Sequence, residues 1–260
     1  MLKKRLIFSL LYSEGYFLQS RNFNLQKVGN IDWLKNNYNF KNISPYIDEL
    51  IVLDVSRKDR NKAVFLQNVL EISKLCFVPI TVGGGIKSLD DAKYYLNNAS
   101  DKVLINSSFH LEPKLVDEIS KVFGEQSIVV GIDLKKINDD YSIYINNGNK
   151  RIKKELKETF KDLEKRSFGE LFINSIDRDG TGNGLDYEIL NQIPNTFKRP
   201  IIISGGTGNY QHVLEGFKKN NFNAISTANL LNFIGDGLTK MRNKLIENKI
   251  NFPLWDYTKL

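Results

Sequence analysis

The chain has 260 residues, 41% of them hydrophobic, with 37 Lys and Arg against 30 Asp and Glu. That length fits one or two domains at about 150 residues each, and α/β barrels reach roughly 200–250 residues as one; such a chain buries about 70–75% of its unfolded surface without help from disulfides or metals. Apolar and aromatic residues recur along the whole length, which argues against disorder, and no apolar run approaches the ~18–20 residues of a transmembrane helix.

The chain opens on a basic, then apolar segment, Met1–Tyr12, with no small-residue cleavage site behind it, and reads as a first strand rather than a signal peptide. Further short β-branched runs follow at Glu49–Val55, Pro79–Gly85, Lys102–Asn106, Ser127–Asp133, Glu170–Ile176, Pro200–Gly206 and Ala224–Ala228, the first being Arg5–Leu11. Helical patterns fill most intervals, at Lys62–Cys76, Leu89–Asn97, Pro113–Phe123, Ile152–Ser167, Tyr187–Ile193 and Tyr210–Asn220. Strands alternating with helices predict parallel βαβ units, and eight units in this length predict a closed (β/α)8 barrel, with a doubly wound sheet as the alternative. The expected layout is one barrel domain over residues 1–260.

Internal repetition favours the barrel. Pro79–Gly85 lies over Pro200–Gly206, and Glu49-Leu50 over Glu170-Leu171, at an offset of 121. An offset of 122 places Arg5–Tyr12 on Ser127–Leu134 and Lys102–Ser107 on Ala224–Asn229. Two half-barrels, about 1–123 and 124–250, account for these matches together.

In such barrels chemistry sits at the carboxyl ends of the strands. Two glycine clusters fall there, Gly83-Gly84-Gly85 and Gly205-Gly206, beside the turns Asn106-Ser107 and Ala228-Asn229. Glycine lets backbone N–H groups approach an anion, so the duplication predicts two phosphate sites facing one mouth. Asp133 ends the fifth strand as a candidate acid/base, with a helix cap as the plainer reading. The polar segment Asn174–Gly182 adds Asp179, Gly180 and Thr181 as ligand contacts. Arg5, Glu49, Lys102 and Glu170 each begin a strand and converge at the opposite end of a barrel, where a ring of salt bridges is expected for stability. His110 and His212 lack partner spacing, so no metal site is predicted, and Cys76, the sole cysteine, allows no internal disulfide and fits a reducing cytoplasm. The net charge of +7 is spread along the chain, which points to phosphorylated metabolites rather than nucleic acid or a membrane surface.

These residues resemble HisF, the cyclase subunit of imidazole glycerol phosphate synthase, over nearly the whole chain. The likeness rests on Met1-Leu-x-Lys-Arg, Asp48-Glu-Leu-x-x-Leu-Asp54, Thr81-Val-Gly-Gly-Gly-Ile86, Asp101-Lys-Val-x-Ile-Asn106, Phe123-Gly, Ile132-Asp133, Ser175-Ile-Asp-Arg-Asp-Gly-Thr181 and Ser204-Gly-Gly206. The resemblance implies a HisH-like glutaminase docked beneath the barrel, and ammonia passed up its axis. It also implies a cyclase that splits and closes a bis-phosphorylated ribulosyl intermediate. By position, Asp133 matches one of two catalytic aspartates. Gly85, Asn106 and Ser107 match one phosphate site, and Asp179, Gly180, Gly206 and Ala228 the other; Gly84, Thr181, Gly205 and Asn229 adjoin them. Arg5, Glu49, Lys102 and Glu170 match the family's charged ammonia gate, and Asp101 a glutaminase contact. The resemblance implies no cofactor.

The first strand departs from the family. Leu11 stands where the second catalytic aspartate is expected, and Gln19 replaces an expected lysine. The internal repeat also pairs Leu11 with Asp133. An inlet kept while cyclase chemistry is lost resembles the HisF-like paralogues of surface-polysaccharide synthesis (WbuZ type). Their resemblance implies relay of ammonia to an ATP-dependent sugar amidotransferase, giving an acetamidino sugar. The competing expectations are a histidine-pathway cyclase whose acid/base group has moved, and a scaffold that activates the glutaminase without passing ammonia.

Overall fold

A computed structural model of the chain describes residues 3–38, 40–58, 60–219, 222–228 and 237–253. Each apolar run becomes a strand: β1 (Arg5–Ser13), β4 (Glu49–Asp54), β5 (Ile80–Gly83), β6 (Lys102–Ile105), β7 (Ile128–Ile137), β10 (Glu170–Ser175), β11 (Ile201–Ser204) and β12 (Ala224–Thr227). All eight pair in parallel, in the order β1-β4-β5-β6-β7-β10-β11-β12, and β12 returns to β1 with Arg5 opposite Ala224. The sheet closes into a (β/α)8 barrel, and the doubly wound alternative falls away.

Two antiparallel extensions rise from it. β2 (Tyr16–Arg21) and β3 (Asn24–Gly29) continue β1, while β8 (Asp140–Ile145) and β9 (Lys150–Arg151) continue β7. Among the described residues the helices are α1 (Ile31–Asn37), α2 (Phe40–Ile43), α3 (Lys62–Ser73), α4 (Leu89–Leu96), α5 (Ser107–Leu111), α6 (Lys114–Phe123), α7 (Leu156–Glu164), α8 (Tyr210–Lys219) and α9 (Gly237–Glu247). α4 starts on a capping box between Ser88 and Asp91, and Asn61 caps α3 through Val64 N. The predicted helix Tyr187–Ile193 is instead a 3-10 turn, Tyr187–Gln192. Pro194 follows and holds Ile193 in extended backbone.

Alternation along the strands divides the apolar residues into two cores. Leu6, Phe8, Leu10 and Tyr12 face outward, beneath the helices, together with Leu50, Val52, Val130 and Ile132. Ile7, Ile51, Leu104, Val129, Phe172, Ile202 and Ala224 face inward and fill the axis. The next inward position of β1 and β12 is polar: Ser9 and Ser226 are hydrogen-bonded at 2.6 Å. The axis is therefore layered, with strand-starting charges below, an oily middle and a polar top. Among the described residues no helix is long and apolar enough to cross a membrane.

Candidate functional site

The charges that begin β1, β4, β6 and β10 form one closed ring. Arg5 pairs with both Glu49 and Glu170. Lys102 Nζ reaches Glu49 at 3.1 and 3.2 Å and Glu170 at 2.5 Å. Burial alone would raise the Glu170 carboxyl, yet hydrogen bonds and charge from Arg5, then Lys102, hold it below the ordinary value. The ring plugs the amino end of the axis, directly under the apolar layer. Asp101 lies exposed beside Lys102, and its carboxylate accepts from Ile80 N at 2.8 Å, fixing the start of β5.

At the carboxyl end the loops enclose a cavity of about 220 Å3. It gathers Gly84, Gly85, Asn106, Ser107, Asp133, Asp179, Gly180, Gly205, Gly206 and Ala228, with Leu11 and Gln19 also in its wall. Thr181 is not in that wall; its hydroxyl donates to Arg178 O at 2.8 Å within the turn. Asn229 lies outside the described residues.

The two glycine turns have matching backbones. Gly84 and Gly85 have φ of +104° and +69°, Gly205 and Gly206 +95° and +94°. A Cβ on Gly84 would lie 2.1 Å from Asp54 O, and one on Gly205 2.7 Å from Ser175 O. Each turn thus packs against the end of the preceding strand at a distance only glycine allows. The wall of the first turn also carries Arg57, Arg60 and Lys87, cations that motif reasoning missed. Their loops align with nothing distinctive in sequence, and a run of Arg and Lys after β4 reads as solvated surface.

The hairpins roof the mouth. The turn Asn22-Phe23, both residues at positive φ, drops onto the segment after β10. Asn22 N donates to Asp179 O at 2.9 Å, Phe23 N to the Asp179 carboxylate at 3.1 Å, and Ser20 Oγ to the same carboxylate. Arg57 donates to Phe23 O at 2.8 Å, and a Cβ on Gly148 would meet the Phe23 ring at 2.7 Å. Burial raises the Asp179 carboxyl, against the pull of Ser20 and Phe23 N.

Asp133 is buried at the top of the axis. Asn106 Nδ2 donates to one carboxylate oxygen at 2.8 Å and Asn174 Nδ2 to the other at 3.4 Å. Burial pushes this carboxyl up to about 7; the two amides oppose the rise and the Asp179 charge adds to it. A carboxyl poised there can give or take a proton near neutrality. Across the barrel, β1 offers Leu11 in place of a second such group, with Leu53 beside it on β4.

The raised proton affinity has a stability cost of definite sign. Unfolded, Asp133 ionises at its ordinary 3.8; folded, it keeps its proton to about 7. Between those values the native state binds more protons, so stability falls as pH rises through the window. Asp133→Asn is expected to be about 2–4 kcal/mol more stable than the parent at pH 8 and nearly equal to it at pH 4, by urea denaturation at both.

A family model described as "Histidine biosynthesis protein" matches residues 30–233. The HisF subunit of imidazole glycerol phosphate synthase from Chlorobium phaeobacteroides (strain BS1) is 36% identical over 98% of this chain and 100% of its own. The chain belongs to the HisF family. Another HisF, from Natranaerobius thermophilus, is 34% identical over 98% of this chain and all of its own length. A relative from Parasynechococcus marenigrum (strain WH8102) is 43% identical over 94% of this chain and 91% of its own. It carries the provisional name imidazole glycerol phosphate synthase subunit hisF2. Among the described residues of this HisF-family barrel, no group of three His, Cys, Asp or Glu is placed to hold a metal. His110 is half-buried, its imidazole pushed down to about 4 by loss of solvent and by Lys154. His212 Nδ1 accepts from Gly208 N at 3.1 Å, which makes it part of the second glycine turn's frame.

Proposed function

We propose that this HisF-family barrel takes ammonia from a HisH-like glutaminase at its charged ring and passes it along the axis to the mouth, where a phosphate-bearing ligand binds. The observation that carries the reading is the four-residue ring at one end of an apolar axis, with the glycine-walled cavity at the other. Desolvation decides what travels: the layer of Ile7, Ile51, Val129, Phe172 and Ile202 admits neutral ammonia and strongly disfavours an ion. Gly84, Gly85, Asn106 and Ser107 would hold one phosphate, and Asp179, Gly180, Gly205 and Gly206 the other end of the ligand. Asp133 would be the acid/base group, and Asp101 a contact to the glutaminase.

Two destinations for the ammonia have separate support. The names carried by the relatives favour the histidine-pathway ring closure. Leu11 favours the other: a leucine neither exchanges a proton nor stabilises developing charge, so ring closure here would be slow and the nitrogen relayed to the acetamido group of a surface-polysaccharide sugar. An ATP-dependent sugar amidotransferase would then be the further partner. Purified chain assayed with saturating ammonium and the bis-phosphorylated ribulosyl intermediate separates them. Turnover at about 1 s⁻¹ or faster, within the ordinary enzyme range, supports the histidine pathway; absence of turnover supports the relay.

Lys102→Met tests the inlet itself. With the glutaminase present, glutamine-dependent transfer is expected to drop about tenfold as the ring loses the Lys102 cation and its pairs with Glu49 and Glu170, while the reaction fed with external ammonium is unchanged. Equal rates of glutamine-dependent transfer in variant and parent would leave the ring a purely structural feature.

A further inference from the structure

The two amides that hold Asp133 differ. Asn106 makes the shorter bond, 2.8 Å, and Asn174 the longer, 3.4 Å. A primary amide that turns its NH2 toward a carboxylate turns its oxygen away, and both Asn106 Oδ1 and Asn174 Oδ1 are buried without a hydrogen-bond partner among the described residues. An orphaned acceptor of this kind carries a desolvation penalty that a hydrogen-bond donor would relieve. Asn174 Oδ1 also has a specific neighbour. It stands against the second glycine turn, 3.3 Å from where a Cβ on Gly205 would be.

Protonating Asp133 reverses the pairing. A carboxylic acid donates through its O–H and needs an acceptor, which Asn174 provides by turning its amide over. The proton goes onto the oxygen facing Asn174, because Asn106 holds the other by the stronger bond. Asn174 Oδ1 then accepts from Asp133, no longer an orphan, and its NH2 swings to the place that Oδ1 held, toward Gly205. The turn gains a donor in place of an acceptor. We propose that Asn174 is a positioning residue that couples the proton on Asp133 to the presence of an anion in the Gly205–Gly206 turn. Only a proton from the mouth is added, and no covalent bond to carbon breaks.

The charged group acting on Asp133 is Asp179, from the segment after β10. Asn106 just after β6, Asn174 on β10 and Leu11 on β1 are uncharged, and Asp54, Arg57, Arg60 and Lys87 line the same cavity on the β4–β5 side. By linkage, the effect is reciprocal: an anion in the turn favours protonated Asp133, and protonated Asp133 favours the anion. A ligand arriving with its charged end in that turn would arm the acid it is about to use. The inference rests on the reading of this turn as an anion site, and not on ammonia passage.

The test uses the isolated chain with sulfate, which stays a dianion across pH 5–9. The Asp133 carboxyl is followed by carbon NMR in sodium sulfate and in sodium chloride of matched ionic strength. Sulfate is expected to raise the titration midpoint by about half a pH unit or more, a measurable linkage. Asn174→Leu should lose most of that rise. The side-chain amide signals of Asn174 in the unaltered chain should move with the Asp133 midpoint, which decides the matter even if Asn174→Leu does not fold. A midpoint insensitive to sulfate, a full-sized shift in Asn174→Leu, or an amide that stays still through the titration overturns the proposal. None of these readouts involves the glutaminase, so failure here is distinct from failure of the ammonia reading.

Discussion

Leu11→Asp is expected to raise ring closure of the bis-phosphorylated ribulosyl intermediate, at saturating ammonium, by about 10²–10⁴-fold, the usual worth of a positioned acid/base group. The position is suited to it. Leu11 is the inward residue of β1 at the height of the cavity, and β1 lies across the barrel from β7, which carries Asp133. A carboxylate there would face the ligand from the opposite side, so that one group could take a proton as the other gives one. Steady-state product formation by parent and variant is the measurement, with the cavity's integrity checked by circular dichroism. An unchanged rate in a folded variant would mean that Leu11 does not limit ring closure.

The largest loss of stability is expected at the opposite end of the chain. Arg242 on α9 is 1% exposed and forks onto Asp48 at 2.9 and 3.2 Å. It also donates to Tyr46 O at 3.2 Å and Pro253 O at 3.0 Å, with its guanidinium over the Phe252 ring. The other Asp48 duty is to accept from Leu6 N at 2.8 Å, at the start of β1. One ion pair thus ties the last described helix, the segment before β4 and the first strand together. Arg242→Leu is expected to cost about 3–5 kcal/mol, because it strands a buried carboxylate. The double variant Asp48→Leu, Arg242→Leu should cost less than the two single losses summed. Urea midpoints for the three variants check both statements.

Much of this was readable from sequence because it depends on period and on strand ends. Inward and outward residues of β1 alternate from Arg5 to Tyr12, and charges that begin four strands must meet when a sheet closes. The matched glycine turns follow from the repeat. The hairpins were not read, although Glu14-Gly15 and Asn138-Asp139 are two-residue turns with both residues at positive φ, the geometry that suits tight hairpins. The third turn gives less warning. Phe23 seldom takes φ of +63°, and it does so here under contacts from Asp179, Arg57 and Gly148, all distant in sequence. In the sequence Asn174 is one polar residue among many in the segment 174–182. Its partnership with Asp133 depends on the register that sets the two side by side on β10 and β7. The Asp48–Arg242 pair spans 194 positions and has no local signature.

The oily middle of the axis has an electrical consequence. Hydrogen ions travel by hopping along unbroken chains of water and polar side chains, and the collar of Ile7, Ile51, Val129, Phe172 and Ile202 interrupts any such chain between the ring and Asp133. The packed middle of the barrel is then an insulator for charge. Whatever proton Asp133 gives up or receives must come and go through the mouth.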